Sequence, residues 1–252
     1  MSDRIIESRK NPFFRHLLKL SRSREIRKQA AALFSGPKQV QEVLDEFPER
    51  CAGLLLAADH HPPASATAPR IPQYRFSSPL FREIDEFATG HPILLVRVDP
   101  LPAFQNHVSL SGCTLCIPFQ DPANVGATIR TAASLGVHRV VLLLEAAHPF
   151  HPKSLRASGS SIFRIPLWQG PSLEGLATRP LPMIALSPRG QDVAAYRFPP
   201  DFCLVPGMEG PGLPPALDAK ATVSIPMEPG AESLNAAMAV GMVLYEWRRL
   251  RA

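Results

Sequence analysis

The spacing of apolar residues divides the chain into two parts with different patterns. In the first part, Phe13, Leu17, Leu20 and Ile26 recur at helical spacing, with lysines and arginines around them. The predicted elements here are helices at 12–30, 37–47 and 78–88, strands at 53–57 and 93–98, and an exposed loop rich in Pro, Ala, Ser and Thr at 59–74. This part therefore predicts a small domain of mixed helices and strands.

From residue 110 onward, strand-like and helix-like runs alternate along the chain. Strands are predicted at 114–118, 139–144, 181–186, 202–205 and 222–225, and helices at 125–135, 152–158 and 233–250. Alternation of this kind is typical of an α/β domain with a mostly parallel sheet. The proline-rich stretch 99–102 separates the two patterns, so we predict domains of residues 1–105 and 106–252.

The amino-acid composition is that of a globular protein, and it does not indicate a function. Hydrophobic residues make up 45% and charged residues 19% of the 252-residue chain, as in globular domains. The longest apolar runs, 93–96 and 140–144, are too short to cross a bilayer, and no apolar secretory segment follows the charged N-terminus. We therefore expect a cytoplasmic protein with no membrane partner.

The distribution of charge points to a polyanionic partner. Residues 1–40 contain ten Lys or Arg and three acidic residues, so they have a net charge of +7 and the rest of the chain −2. A basic segment on a nearly neutral body is typical of proteins that bind nucleic acid. A solvated helix face is the alternative explanation of the same charges.

The cysteines do not predict a metal site. Cys113 and Cys116 form a single C-x-x-C pair, and no second pair of ligands follows at a spacing that zinc would need. The pair also lies in a predicted strand, where residues three apart point to opposite faces. We expect buried thiols at these positions, and no metal.

The first candidate motif joins a predicted strand to a helix. Residues 121–130 read DPANVGATIR, in which Asn124 can cap the helix, Gly126 permits close approach of a ligand, and Arg130 follows one turn later. A helix N-terminus beside a guanidinium is suited to binding phosphate. A capped helix with a solvated Arg130 is the alternative.

The second motif is a glycine-rich loop directly after a predicted strand. Residues 202–213 read FCLVPGMEGPGL, and Glu209 is the only charged residue among them. Loops at the carboxyl ends of parallel strands are where α/β folds bind ligands. The glycine order differs from that of a dinucleotide site or a P-loop, and a plain turn with a solvated Glu209 is the alternative.

The third motif joins the last predicted strand to the last helix. Residues 225–239 read IPMEPGAESLNAAMA, and Ser233 would be a good N-cap for the helix. Ala237, Met238, Gly241 and Leu244 form one apolar stripe, for which we expect packing in the core. The small residues in this helix indicate a close neighbour, one candidate being another subunit.

Together, the three motifs resemble those of the SpoU (TrmH) family of RNA ribose 2′-O-methyltransferases, in the SPOUT superfamily. The family pattern N-x-G-x-x-x-R is met by Asn124, Gly126 and Arg130, the pattern G-x-E-G by 207–210, and the patterns I-P-M and S-L-N by 225–227 and 233–235. The resemblance covers residues 108–252, with a further similar stretch at 153–159. Residues 4–57 more loosely resemble the small front domain of many members, which is related to RNA-binding ribosomal proteins.

The resemblance implies a C-terminal α/β domain with a deep trefoil knot, preceded by the small α/β RNA-binding domain. It implies that loops after strands ending near Leu186, Val205 and Ile225 hold a bent S-adenosylmethionine (SAM). The implied cofactor-binding positions are Gly207, Ile225, Leu234 and Leu186. It also implies a homodimer with the site at the interface. Pro206 departs from the small or aliphatic residue that is usual there, and removes a backbone donor near the cofactor loop.

The resemblance further implies transfer of a methyl group to a ribose 2′-hydroxyl, with Arg130 as the principal catalytic residue. Because a guanidinium stays protonated, we expect Arg130 to grip the adjacent phosphate and stabilise the developing alkoxide, while that phosphate or a water takes the proton. The residues expected to orient Arg130 and the ribose are Asn124, Glu209, Ser233 and Asn235. Glu209 could pair with Arg130 or with an arginine of a second subunit.

Two other functions compete with this hypothesis. A non-catalytic RNA-binding protein would keep the knotted fold without the reaction, and loss of cofactor binding through Pro206 would favour it. A nucleotide-dependent enzyme of doubly wound type is opposed by the glycine order and by the lack of an acidic ribose ligand at the expected distance. Because the front domain resembles a ribosomal-protein module, rRNA is favoured over tRNA as the substrate.

Overall fold

The structure is a computed structural model that describes residues 5–63, 71–105, 110–218 and 221–250. The described strands are β1 (Ala31–Phe34), β2 (Cys51–Ala57), β3 (Gln73–Phe76), β4 (Ile93–Arg97), β5 (Cys113–Ile117), β6 (Arg139–Leu142), β7 (Leu167–Gln169), β8 (Met183–Asp192), β9 (Phe202–Pro206) and β10 (Ala221–Ser224). The described helices are α1 (Pro12–Leu17), α2 (Ser23–Gln29), α3 (Pro37–Glu46), α4 (Ser78–Ile84), α5 (Pro122–Leu135), α6 (Pro152–Ser158), α7 (Leu173–Ala177), α8 (Pro215–Asp218) and α9 (Ala236–Arg249).

These elements form two compact units. The first comprises residues 1–100 together with 150–160, and the second comprises residues 101–149 together with 161–252. The first unit has a mixed sheet in the order β1-β4-β2-β3, in which β4 runs antiparallel to β1 and β2 while β3 runs parallel to β2. Helix α6 therefore belongs to the first unit, although it lies between two motifs of the second in the sequence.

The helix predicted at 12–30 is divided in two, which corrects that prediction. Helix α1 passes into a short 3₁₀ helix at Leu18–Ser21, and Arg22 is extended before α2 begins. Leu20 and Ile26 are six residues apart, so one continuous helix would place them about 240° apart around its axis. The break allows both side chains to be fully buried.

Several short elements were missed by the periodicity. Strand β1 follows the left-handed Ala30 and occupies four residues, and β3 begins inside the segment 59–74 that was predicted as a loop. Strand β7 and helix α7 have only three and five residues. Segments this short do not span one helical repeat or a clear alternation, so they leave no periodic signal. Part of the predicted loop, residues 64–70, lies outside the described residues.

The second unit has a six-stranded sheet in the order β10-β8-β9-β5-β6-β7, and all its neighbouring strands are parallel. The prediction of an α/β domain with a parallel sheet is therefore confirmed. Both faces of the sheet are covered, because Phe202 packs edge-on against Trp247 of α9 while its neighbour Cys203 belongs to the apolar cluster around Leu173 and Leu176 of α7. Coverage on both faces explains the unbroken apolar sequence of the central strands.

All four cysteines are buried, which confirms the prediction for Cys113 and Cys116. Cys113 and Cys116 lie three residues apart in β5, and Cys116 shares an apolar cluster with Cys203 of the neighbouring strand. A hydrogen bond with Cys203, together with complete burial, raises the pKa of the Cys116 thiol well above its usual value. The Cys116 thiol is therefore a packing group of the sheet.

Strand β10 pairs with two separate stretches of β8. Ala221 and Thr222 lie opposite Ile184 and Ala185, but the next residue, Val223, lies opposite Gln191. Between these stretches β8 has residues without a partner in β10, and a Cβ on Gly190 would lie 2.5 Å from the Val223 backbone. Glycine is therefore required where β8 approaches β10 this closely.

The final helix begins later than predicted. Asn235, and not Ser233, is its N-cap, because the Asn235 side-chain oxygen accepts hydrogen bonds from the backbone N–H groups of Ala237 and Met238 at 3.0 and 3.2 Å. Ala237 and Leu244 are buried as expected, but Met238 is 60% exposed, so its predicted place in the core was wrong. The apolar stripe of α9 is wider than the part of this helix that packs against α5, so Met238 stays exposed.

None of the described helices is both long enough and apolar enough to span a membrane.

Candidate active site

The three sequence motifs follow three strands of the parallel sheet at their carboxyl ends. Asn124 lies in the first turn of α5 after β5, Glu209 lies in the loop after β9, and Asn235 lies between β10 and α9. Asp121, and not Asn124, caps α5 by accepting a hydrogen bond from the Ala123 N–H at 2.9 Å. The Asn124 side chain is therefore left available for contacts with the other motifs.

Side-chain hydrogen bonds join these motifs in a chain. The Asn235 amide donates to the Asn124 side-chain oxygen at 3.1 Å, and the Asn124 amide donates to a carboxylate oxygen of Glu209. The bonded residues are 111 and 85 positions apart in the sequence. Asn124 is thus the central link of a polar cluster that we call the amide relay, made of Asn235, Asn124 and Glu209.

The direction of the amide relay is fixed by the helix cap. The Asn235 oxygen is used by two backbone N–H groups of α9, so only its NH₂ group can face Asn124. Asn124 must then accept with its oxygen and present its own NH₂ group to Glu209. A carboxylate is the matching partner at that end because it only accepts hydrogen bonds when ionised.

Arg130 lies on the exposed surface of α5, one turn after the buried Gly126. Among the described residues, none forms a hydrogen bond or ion pair with its guanidinium. Glu209 bonds to Asn124 in this single chain and does not pair with Arg130, which was one of its two predicted partners. The guanidinium is therefore available to a ligand or to a second copy of the chain.

A cavity of about 170 Å³ opens among the ends of β8, β9 and β10 and the start of α9. It is lined by Leu186, Ser187, Pro188, Pro206, Gly207, Met208, Ile225, Met227, Glu232, Ser233, Leu234, Ala236 and Ala239. All four residues predicted to bind a cofactor are among these, and so is Ser233. Their role in binding is a prediction, but the structure does bring them together around one space.

Other residues that line this cavity were not among the predicted site residues. Ser187 and Pro188 follow the strand segment that ends near Leu186, and Glu232 directly precedes the S-L-N motif. Each lies within two positions of a residue that was selected, so closeness in sequence to a strand-end motif was the signal available. That signal does not show which neighbours face the cavity, because residue order alone does not fix the path of an irregular loop.

The glycine-rich loop turns tightly beside the cavity. Met208 and Gly212 exchange two backbone hydrogen bonds at 2.9 and 3.0 Å, and Gly210 and Gly212 have φ angles of +89° and +75°. A Cβ on Gly207 would lie 2.8 Å from the Gly212 backbone, so Gly207 is needed for close approach and not for its dihedral angles. The order G-x-x-G-x-G therefore encodes a tight turn beside the cavity.

Pro206 is accommodated at the end of its strand. It is buried, lies opposite Leu186 in the ladder between β8 and β9, and lines the cavity. A proline at the last ladder position costs the sheet little, since few ladder bonds follow it. Its ring presents an apolar surface to the cavity in place of a backbone donor.

Comparisons with known proteins agree with this arrangement. The sequence profile of the SpoU rRNA Methylase family matches residues 115–245. A 23S rRNA (guanosine(2553)-2′-O)-methyltransferase, RlmP of Bacillus subtilis, is 30% identical, and the alignment covers 96% of this chain and 98% of that protein. The chain therefore belongs to the SpoU rRNA methylase family.

Two further relatives extend the comparison. The Ribosomal RNA small subunit methyltransferase G 2 of Syntrophobacter fumaroxidans is 44% identical over 98% of this chain, but the chain spans only 49% of that protein's length. The crystal structure of the SpoU methyltransferase AviRb from Streptomyces viridochromogenes, in complex with AdoMet, is 26% identical with a TM-score of 0.82. That match covers 96% of this chain and 98% of AviRb.

Proposed function

We propose that this protein transfers a methyl group from SAM to a ribose 2′-hydroxyl of ribosomal RNA. The observation that carries the proposal is the joining of the three family motifs by the amide relay beside a cavity lined by Gly207, Ile225, Leu234 and Leu186. The relatives support it, because RlmP is named for 2′-O-methylation of 23S rRNA and AviRb was solved with AdoMet.

The cavity has the chemistry that SAM requires. Its lining is mostly apolar, which suits an adenine ring, and Gly207 and the strand ends around it carry the main-chain groups that would form hydrogen bonds with that ring. Gly207 has no side chain, and so lets the glycine-rich loop fold closely onto Gly212 beside the cavity. We propose that Leu186, Gly207, Ile225 and Leu234 hold the cofactor, which supplies an electrophilic methyl group when bound.

The protein's own groups would align the ribose and manage its proton. Arg130 would bind the phosphate next to the target nucleotide and stabilise negative charge developing on the 2′-oxygen. That phosphate or a water would take the proton, because a guanidinium cannot serve as a base at ordinary pH. The amide relay and Ser233 would orient the ribose, since Ser233 lines the cavity and Asn235 lies between two residues that line it.

We propose that the predicted domain 1–105 holds the RNA while the predicted domain 106–252 methylates it. Helices α1 and α2 and their connection expose many cations, namely Arg15, Lys19, Arg22, Arg24, Arg27 and Lys28. Phosphates are the natural partners of such a surface. Action on ribosomal RNA would take place in the cytoplasm.

Labelled methyl transfer tests the function. The protein is incubated with methyl-labelled SAM and total RNA from a source strain lacking the gene, and the RNA is then fractionated and hydrolysed in alkali. We expect label in ribosomal RNA, in alkali-stable dinucleotides, because a methylated 2′-oxygen cannot attack the neighbouring phosphate. Label in mononucleotides would indicate base methylation instead. No label and no SAM binding, with RNA binding retained, would favour the non-catalytic RNA-binding protein.

We further propose a homodimer built on the exposed face of α9. Met238, Met242 and Tyr245 are 60%, 41% and 58% exposed on successive turns of this helix. They border an apolar groove of about 560 Å³ whose other residues include Val193 and Pro226. Contiguous large apolar side chains are rare on a monomer surface and are typical of subunit interfaces. Arg130 on α5, the helix packed against α9, would then lie near the interface.

Substitution of Met242 by glutamate is expected to produce a monomer. A charge buried in an apolar interface costs several kcal/mol, so dimer dissociation should be favoured by at least about 100-fold. Light scattering after gel filtration measures the mass directly. Leu144→Glu is the matched control, because Leu144 is 67% exposed away from this face. A wild-type monomer, or a dimer that survives Met242→Glu, would contradict the interface.

The predicted trefoil knot is proposed on the basis of the double pairing of β10. Strand β10 pairs with two stretches of β8 that are separated by residues 186–190. This is the pairing expected of a chain that is threaded through a loop. The close approach of Gly190 to the β10 backbone supports the same threading.

A further inference from the structure

One ionisable side chain stands out in the cavity. Among the described residues that line it, Glu232 is the only one with an acidic or basic side chain. No described residue forms a hydrogen bond or ion pair with its carboxylate. The Glu232 side chain is exposed, so solvent weakens its interactions, but a carboxylate beside a ligand cavity without a protein counter-ion is still a candidate partner for a positive charge on the ligand.

The position of Glu232 relative to the amide relay indicates which part of a ligand it faces. Asn235 is fixed as the cap of α9, and Glu232 lies three residues before it, within about 11 Å along the chain. A methyl group must be presented toward the ribose that the relay orients. The reactive sulfur of SAM would therefore lie at the end of the cavity formed by 232–236, beside Glu232.

We propose that Glu232 is a specificity-determining residue that favours the positively charged sulfonium of SAM over the neutral thioether of the product, S-adenosylhomocysteine. This inference rests on the proposed function of the cavity. When the C–S bond breaks, its electron pair stays on sulfur, so the sulfur loses its charge and the attraction to the carboxylate disappears. The protein would thus bind SAM more tightly than S-adenosylhomocysteine, which would favour release of S-adenosylhomocysteine after the reaction.

Other charges near the site do not supply this discrimination. Glu209 is hydrogen-bonded to Asn124 and does not line the cavity. Arg189 lines an adjoining cavity of about 410 Å³, which shares Leu186–Pro188 and Gly207 with the first, and its positive charge would repel a sulfonium. Of these three charged groups, Glu232 alone has both the sign and the position required.

Isothermal calorimetry with SAM and with S-adenosylhomocysteine tests the proposal. Glu232→Gln keeps the size and removes the charge, and we expect it to lower the ratio of the two dissociation constants roughly fivefold, as for a partly exposed ion pair. Affinity for S-adenosylhomocysteine should stay within about twofold of wild type, because the neutral sulfur gains nothing from the carboxylate. Added salt should reduce the wild-type ratio and leave that of the variant unchanged.

Glu228→Gln is the matched control. Glu228 is an exposed glutamate of the same loop that does not line the cavity, and its removal changes the net charge equally. An unchanged ratio in Glu232→Gln, or equal weakening of both ligands, would overturn the inference while leaving the cofactor assignment intact. Failure of the wild-type protein to bind either ligand would overturn the cofactor assignment and this inference with it.

Discussion

Arg130→Ala is expected to lower kcat for methyl transfer about 100- to 1,000-fold, the range seen when one group that stabilises a developing oxyanion is removed. The physical reason is that the 2′-oxygen becomes negative as it loses its proton, and a guanidinium beside it lowers the energy of that state. Single-turnover transfer of labelled methyl to ribosomal RNA measures the effect. Affinity for SAM, measured by calorimetry, should not change, because Arg130 does not line the cavity.

Two variants make the Arg130 result specific. Arg130→Lys keeps the charge but cannot form the paired hydrogen bonds of a guanidinium with phosphate, so its rate should fall between wild type and alanine. Arg197→Ala removes another exposed arginine of the second unit and should have full activity. Stability should be unchanged in all three, since Arg130 is exposed and without a partner among the described residues. A fully active Arg130→Ala would refute the proposed catalytic role.

Asn124→Asp is expected to have the second-largest effect. The change replaces an NH₂ donor by a carboxylate directly beside Glu209, so a hydrogen bond becomes a repulsion between like charges. Because the pair is exposed, the loss of unfolding free energy should be only about 1 kcal/mol, measured by urea denaturation. Methyl transfer should fall about 100-fold, because misplacement of an orienting group by about 1 Å has an effect of that size.

A double substitution separates geometry from chemistry. In Asn124→Asp with Glu209→Gln, the new carboxylate can accept from both the Asn235 amide and the amide introduced at position 209, so every side-chain bond of the amide relay is restored with one of them reversed. We expect both stability and activity to recover to within about threefold of wild type if the relay acts by positioning. Recovered stability without recovered activity would show that the ribose needs the Glu209 carboxylate itself.

Residue order determined the architecture of the second unit and the location of its site. Alternating apolar runs predicted the parallel sheet, because each strand and helix needs a periodic pattern to bury its own face. The motifs at 124–130, 207–210 and 225–235 were visible because they lie next to those strands. The carboxyl ends of parallel strands lie at one edge of a sheet, which explains why motifs that follow different strands are neighbours in the structure.

Only the tertiary structure decided which motif atoms bond and which side chains face the cavity. The sequence pointed to Ser233 as the cap of the final helix, but the structure uses Asn235, and that cap fixed the direction of the amide relay. Nothing in the sequence distinguished Glu232 from other loop acids, and only the path of its loop places it at the cavity. Periodicity predicted Met238 in the core, but α5 covers only part of α9 and leaves Met238 exposed. These outcomes depend on contacts between residues about 100 positions apart, and local periodicity contains no information about them.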